Sequence, residues 1–419
     1  MTPRERVKRA LAHEAPDRVP LDLGGTAVTS MHVSSVYALR QALKLDPPGT
    51  PVKVVEPFQM LGEIKDDLKD ALGVDTVAVE GTRNFFGFAN RDWRPWTAFD
   101  GTPVLVPRDF NTEPEASGDL LMYPGGDKTA PPSGRMPHGG WYFDAIIRQP
   151  PINEATLRVE DNLEEFQPIS DEELSHLQER TAFLYEHTDQ ALIGGFGGTS
   201  FGDIALVPGV QLAYPKGIRD VEEWYVSTVT RRDYVYAVFQ RQCEIALENL
   251  ARCWGVVGDR VDVVMVSGTD FGTQNGPFIS PEAYRDLFAP FHRVVNDWIH
   301  KNTTWKTFIH TCGSVAALIP DFIAAGFDIL NPVQCSAAGM DPKALKEEFG
   351  GEVVFWGGGV DTQHTLPFGS PDDVRREVTE RVSIFGQGGG FVFNTVHNVQ
   401  AKTPPENLVA LYQALRDLW

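Results

Sequence analysis

The sequence predicts a (β/α)8 barrel, and three observations lead there. Short apolar, β-branched runs ending in Gly, Asn or Asp recur along the chain, as parallel strands buried on both faces require. They alternate with segments of helical period, and there are about eight of them, enough to close a barrel. An open doubly wound sheet is the alternative.

The expected strands are Arg18–Leu23, Asp75–Glu80, Gln190–Gly194, Val261–Val266, Lys306–His310, Asp328–Asn331, Val353–Trp356 and Gly390–Asn394. Helices are expected over Pro3–His13, Val33–Ala42, Phe58–Leu72 and Asp171–Glu186, from Val221–Trp224 onward, and over Asp233–Trp254 and Pro281–Lys301. Four more follow at Val315–Ala325, Pro342–Phe349, Pro371–Ile384 and Pro405–Leu418. Ser280-Pro281 and Ser370-Pro371-Asp372-Asp373 are start signals, in which Ser caps, Pro suits the first turn and acids favour the helix dipole. The stretch 83–168 breaks the alternation, being rich in Pro, Gly and aromatics such as Trp93, Trp96, Trp141, Tyr142 and Phe143. It reads as an insertion of β-hairpins and loops after the second strand, within a single barrel domain spanning 1–419.

Composition bounds what such a domain does. The 419 residues are 42% apolar and 22% charged, enough to bury a large core. Lys+Arg is 37 against Asp+Glu 57, a net charge of −20, which argues against nucleic acid or an anionic membrane as partner. The first residues, MTPRERVKRALAHEAPDRVP, have no apolar core or cleavage site of a signal peptide. No uncharged apolar run approaches the roughly 18 residues that span a bilayer. A cytoplasmic protein is expected, its four cysteines (Cys243, Cys253, Cys312, Cys335) being thiols, ligands or nucleophiles and not disulfides.

In a barrel the reactive groups stand at the carboxyl ends of strands. There the sequence places Asp22, Glu80, Phe196, Asp270, Gln274, Asn275, His310, Cys312, Asn331, Cys335, Trp356, Asp361 and His397. His310-Thr311-Cys312-Gly313 is the most pointed: alternate residues at a strand end face one side, so an imidazole and a thiol there offer an N/S pair suited to Zn²⁺. On those four letters alone, a buried Cys312 and a hydrogen-bonded His310 read equally well. Asp270 and Asp361 are candidate acid/base groups, each also readable as the cap of a helix or turn. Asp22, Phe196, Gln274, Asn275, Asn331 and Trp356 are candidate substrate-binding residues. Gly194-Gly-Phe-Gly-Gly-Thr199 lacks the frame of a phosphate loop and suits a pocket wall. Gly139-Gly-Trp-Tyr-Phe-Asp144 reads as part of a small satellite core or as an apolar wall over the barrel mouth.

His310-Thr-Cys312-Gly313-Ser, then Gly326-Phe-Asp328, Trp356-Gly-Gly-Gly-Val-Asp361 and Lys402-Thr-Pro-Pro-Glu-Asn407 together resemble the uroporphyrinogen decarboxylase superfamily. They look most like its zinc-dependent branch, the methyltransferases serving corrinoid proteins or coenzyme M. The opening Thr2-Pro-Arg-Glu-Arg-Val and Pro16-Asp17-Arg18-Val19-Pro20 match that branch too. The resemblance implies a (β/α)8 fold and a zinc site made by the His and Cys of His-x-Cys-Gly plus a later Cys, five residues before Lys-Thr-Pro. Here that position is His397, so the implied ligands are His310, Cys312 and His397, with Cys335 the competing third. One thiolate and two imidazoles leave about one positive charge on Zn²⁺, a stronger Lewis acid than a two-thiolate site. The decarboxylase branch meets its polyanionic substrate with an Arg-rich segment after the first strand, whereas no arginine lies between Arg18 and Arg40, which makes a poor polyanion binder.

The expectation is therefore a zinc-dependent methyltransferase that demethylates a small methoxylated, aromatic substrate. The methyl acceptor is a corrinoid on a separate protein, implied by resemblance only, and homodimer formation stays open. Zinc-assisted decarboxylation or lysis of a small acid on the same scaffold is the alternative.

Overall fold

The computed structural model describes residues 1–419. Its centre is a seven-stranded sheet, and every pairing in it is parallel. The strands run in chain order from Thr76–Val79 through Ala191–Gly194, Val263–Ser267, Lys306–His310, Ile329–Asn331 and Val354–Trp356 to Phe391–Val392. Neighbours in sequence are neighbours in space, with helices on the crossovers, so the sheet curls into a TIM-barrel-like fold.

Two of its edges meet across Leu21. Leu21 forms a parallel bridge with Phe393, Asp22 N–H donates to Phe393 O at 2.8 Å, and Asp75 N–H donates to Leu21 O at 2.8 Å. The expected strand Arg18–Leu23 is thus one bridge, because Pro20 has no N–H to give a ladder. Side chains reinforce the seam: the Asp75 carboxylate accepts from Leu21 N–H at 2.8 Å, from Arg6 at 2.6 Å and from Arg18 at 2.7 Å.

The period-two alternation of the strands separates two cores. Ala191, Ile193, Val263, Phe308, Ile329, Val354, Trp356 and Val392 fill the ring, which Val7, Ala10 and Leu11 of the helix Pro3–Leu11 close from below. The larger core packs between the sheet and the outer helices. Helix starts are chemically explicit. Thr2 and Glu5 form a reciprocal capping box, Ser280 caps Pro281–Leu287, and Ser370 with Asp373 opens Pro371–Phe385. No helix is long and apolar enough to cross a membrane.

Residues 58–72, expected as one helix, are a turn, the short strand Leu61–Gly62 and the helix Asp66–Leu72. Met60 has φ 55°, incompatible with a helix interior, and a Cβ on Gly62 would lie 3.0 Å from the Val33 backbone. The stretch 83–168 holds a hairpin, Arg94–Thr97 with Pro103–Val106, and a three-stranded antiparallel sheet, Leu120–Met122, Gly134–Met136 and Asp144–Ala145. The hairpin extends a four-stranded sheet begun by Val52–Glu56 and Leu61–Gly62, so that sheet draws on chain from both sides of the barrel strand Thr76–Val79. Phe86, Phe88, Phe110 and Phe143 are buried there in edge-to-face and stacked contacts.

Candidate metal centre

The strand Lys306–His310 ends in the ring with His310, and Cys312 follows two residues on. The chain leaving Phe391–Val392 brings His397 back to the same end. One nitrogen of each imidazole and the Cys312 sulfur all lie within 4.8 Å of one another. His310 Nε2 is 3.5 Å from Cys312 Sγ, and the two imidazole centroids are 5.4 Å apart. A borderline-soft N/N/S donor set, converging this closely from two strand ends, fits Zn²⁺.

Neighbouring groups fix these donors. His310 Nδ1 is 2.6 Å from Asn331 Oδ1, while Asn331 Nδ2 donates to Trp356 O at 2.7 Å. The amide orientation is thereby set, His310 carries its proton on Nδ1, and Nε2 is left as a lone-pair donor facing Cys312. Asp270 Oδ1 accepts from the Cys312 N–H at 2.7 Å, pinning the loop that presents the thiol. Burial, and then repulsion from His310, push the His397 imidazole down to about 3, and burial lowers His310 as well. Both rings are neutral at physiological pH and ready to ligate. Burial, with Asp270 adding to it, raises the Cys312 thiol well above its usual range, so the apo site holds a thiol and not a thiolate.

His310, His397 and Asp270 line a cavity of about 1140 Å³. The same cavity is lined by Phe58, Phe85, Tyr142 and Phe143, together with Glu56, Gln59 and Asp203. The segment Gly139–Asp144 does both things its sequence allowed: Phe143 belongs to the aromatic core while Tyr142, Phe143 and Asp144 face the cavity.

The other expected site residues go elsewhere. Asn331 is fully buried and holds His310 in place of lining the cavity. Trp356 is inside the ring against Phe308, and its Nε1–H donates to Asp22 Oδ2 at 2.8 Å. Asp22 also accepts from Thr76 Oγ1 at 2.6 Å and Gly25 N–H at 2.9 Å, so its carboxylate is consumed by the barrel interior. Phe196 packs on Trp305 in the outer core. Gln274 bonds to Gln363 on the surface, and Asn275 sits in an exposed turn held by Thr273. Asp361 and Cys335 share a separate cleft of about 620 Å³ with His364 and Arg376. There Asp361 Oδ1 accepts from the Gln363 and His364 N–H groups, a turn cap. The Cys335 thiol contacts Val333 O at 3.4 Å and stands outside the His310, Cys312 and His397 group.

Three cavity residues were not anticipated. His32 is buried with Nε2 on Trp141 O at 2.8 Å and Nδ1 on Ser34. Glu56 ends the strand Val52–Glu56, whose β-branched Val-Lys-Val-Val run is its only sequence signal. Asp203 lies on the loop after Ala191–Gly194.

Comparison with known proteins bears on this arrangement. The family model described as uroporphyrinogen decarboxylase matches residues 144–418. The chain is 24% identical over 171 residues to uroporphyrinogen decarboxylase of Pseudoalteromonas atlantica, covering 38% of this chain and 45% of that protein. It is 31% identical over 88 residues to that of Psychromonas ingrahamii, covering 20% of this chain and 24% of that protein. The matched part is thus under half the length of either relative. In fold, the chain is similar to a methyltransferase from Methanosarcina mazei, with a TM-score of 0.54 and 16% identity over 100% of this chain and 99% of that one.

Proposed function

Because the chain belongs to the uroporphyrinogen decarboxylase family, we propose that it puts the family's barrel to work as a zinc-dependent methyltransferase of the cytosol. The observation carrying this reading is the convergence of His310, Cys312 and His397, with both imidazoles at the wall of a large cavity. The substrate is a small methoxylated, aromatic molecule. The methyl group passes to a reduced corrinoid carried by a separate protein.

When bound, Zn²⁺ supplies Lewis acidity toward the heteroatom that bears the methyl group. The chain's own residues supply the rest. Asn331 holds His310 in the tautomer that ligates, and Asp270 fixes the Cys312 loop. Of the two aspartates read as acid/base groups, Asp270 is the one at this cavity. Phe58, Phe85 and Phe143 present apolar area to a ring and keep water from it. The reduced corrinoid, when present, would supply the electron pair for the new bond to the methyl carbon, while the C–O pair stays on the oxygen, which would take its proton from solvent.

Decarboxylation of uroporphyrinogen suits the site poorly. The chain around Gly24, Gly25 and Thr26 that lines the mouth carries no arginine, so many carboxylates would be desolvated without partners. The test is methyl transfer from methoxylated aromatics to reduced corrinoid by the zinc-replete protein and by Cys312→Ser. The reading requires transfer by the first and its loss, together with loss of zinc, in the second. Zinc-free protein that transfers methyl equally well overturns it.

A further inference from the structure

The cavity beside the metal centre is acidic to a degree that the methyl-transfer reading alone does not explain. Glu56, Glu80, Asp144, Glu165, Asp203 and Asp270 line it, against one cation, Arg83. Arg83 is an exposed residue with its guanidinium donating to Gly87 O at 2.8 Å, so it stands at the rim. Two of the acids are already committed: Glu165 accepts from Arg219 at 2.7 Å and Asp270 holds the Cys312 N–H. Glu80 and Asp144 are exposed.

That leaves Glu56 and Asp203, recessed and without a cation. Glu56 accepts only the Phe58 and Gln59 N–H groups, at 2.9 and 2.7 Å. Asp203 accepts the Ala205 N–H at 3.0 Å through Oδ1, and its Oδ2 has no protein donor. That oxygen lies 2.7 Å from where a Cβ on Gly268 would be, so a side chain at Gly268 would push the carboxylate away. Burial lifts Glu56 to about 7; burial, and then Asp270, lift Asp203 to about 6. The aromatic side chains Phe58, Phe85 and Tyr142 face the same space.

We propose that this cavity selects an uncharged, hydroxyl-bearing methoxyarene and rejects its carboxylated counterpart, with Glu56 and Asp203 as the specificity-determining acceptors. A phenolic or alcoholic O–H gives these carboxylates the donor they lack, and the ring lies against the aromatic wall. An arene carboxylate brings a further anion to a part of the pocket where no side-chain cation is recessed, a repulsion that low local dielectric magnifies and that the zinc-free protein shows without any pull from the metal. The inference rests on the methyl-transfer reading for the methoxy group, and on the cavity alone for the charge preference.

The experiment is calorimetric titration of the full chain, with and without Zn²⁺, using ortho-methoxyphenol and ortho-methoxybenzoate at about pH 8, above the values of about 7 and about 6 to which Glu56 and Asp203 are lifted, so that both are ionised. The methoxyphenol should bind at least about tenfold more tightly, and Glu56→Gln and Asp203→Asn should each narrow the gap by admitting the benzoate. Equal or tighter binding of the benzoate to the unmodified protein overturns the proposal, as does failure of both ligands to bind. A gap that neither folded variant narrows removes Glu56 and Asp203 from it. Should a variant fail to fold, the ranking on the unmodified protein still decides. Methyl transfer separates the two readings. The expected binding order without any transfer sinks the methyltransferase while sparing the charge preference, and transfer from a carboxylated donor does the reverse.

Discussion

Asn331 Oδ1 stands 2.6 Å from His310 Nδ1 while the same amide's nitrogen is tied to the Trp356 carbonyl at 2.7 Å. One fully buried amide therefore relays the position of the neighbouring barrel strand to a ring proposed as a metal ligand. Asn331→Ala should lower zinc affinity by about 10- to 100-fold, the usual cost of losing such a partner. Competition against a chelator measures it; unchanged affinity would mean His310 needs no outside support.

Metal uptake should release a proton. With His397 pushed down to about 3 and His310 lowered too, neither ring holds a second proton at neutral pH, whereas the Cys312 thiol is raised well above its usual range. Binding must expel the thiol proton, so affinity should rise about tenfold per pH unit near neutrality, with about one proton released per ion. Calorimetry in two buffers of different ionisation heat counts it. Release of two or none contradicts the protonation states described.

His397→Cys tests the tuning of the metal. A second thiolate donates charge, so this variant should keep zinc but cleave methoxy ethers more slowly than the unmodified protein. Metal analysis beside a methyl-transfer assay reads both. Equal or faster cleavage at full zinc content would show that the second imidazole is not what sets the reactivity.

Sequence reached part of this site and missed part, for reasons visible in particular residues. His310 and Cys312 were legible because the first ends a strand and the second stands two positions on. His397 is far along the chain, and a family pattern with an altered residue was needed to find it. Asn331 was located correctly at a strand end, but whether an amide faces cavity or ligand depends on packing that periodicity does not encode. Asp22 and Trp356 point inward to each other, a pairing across most of the chain. Glu56 ends a five-residue strand outside the expected set, and the helix expected from Phe58 onward is broken by the left-handed backbone at Met60.

Glu56 also makes a stability prediction. Its carboxyl is raised by burial from 4.5 to about 7, so the folded chain holds a proton that the unfolded chain has released. Its contribution to stability is therefore whole below about pH 4.5, falls as pH rises, and is fully lost above about pH 7. Glu56→Gln removes this dependence, so its urea midpoint relative to the unmodified protein should improve between about pH 5 and about pH 7.5. A constant difference across that range would place the titration elsewhere.

Asp75→Asn should be the most damaging of these changes. It leaves Arg18 facing a neutral amide and Arg6 with Asp17 as its remaining carboxylate, in a site where Asp75 is wholly buried, at a cost of about 3 kcal/mol. Chemical denaturation checks it, and a loss under about 1 kcal/mol would show that the arginines find other partners.

That carboxylate makes the ring a clasped bracelet. Six of its junctions are backbone ladders, whereas the closure runs through Leu21, bridged to Phe393 on one side and accepting from Asp75 N–H on the other, locked from below by charge. The next residues along, Gly24, Gly25 and Thr26, are cavity wall. Loosening the clasp would thus deform the substrate chamber before it unravels the helices. Under mild acid or denaturant the protein should go catalytically silent while its far-ultraviolet dichroism still reads as native, with inactivation and unfolding tracing separate curves.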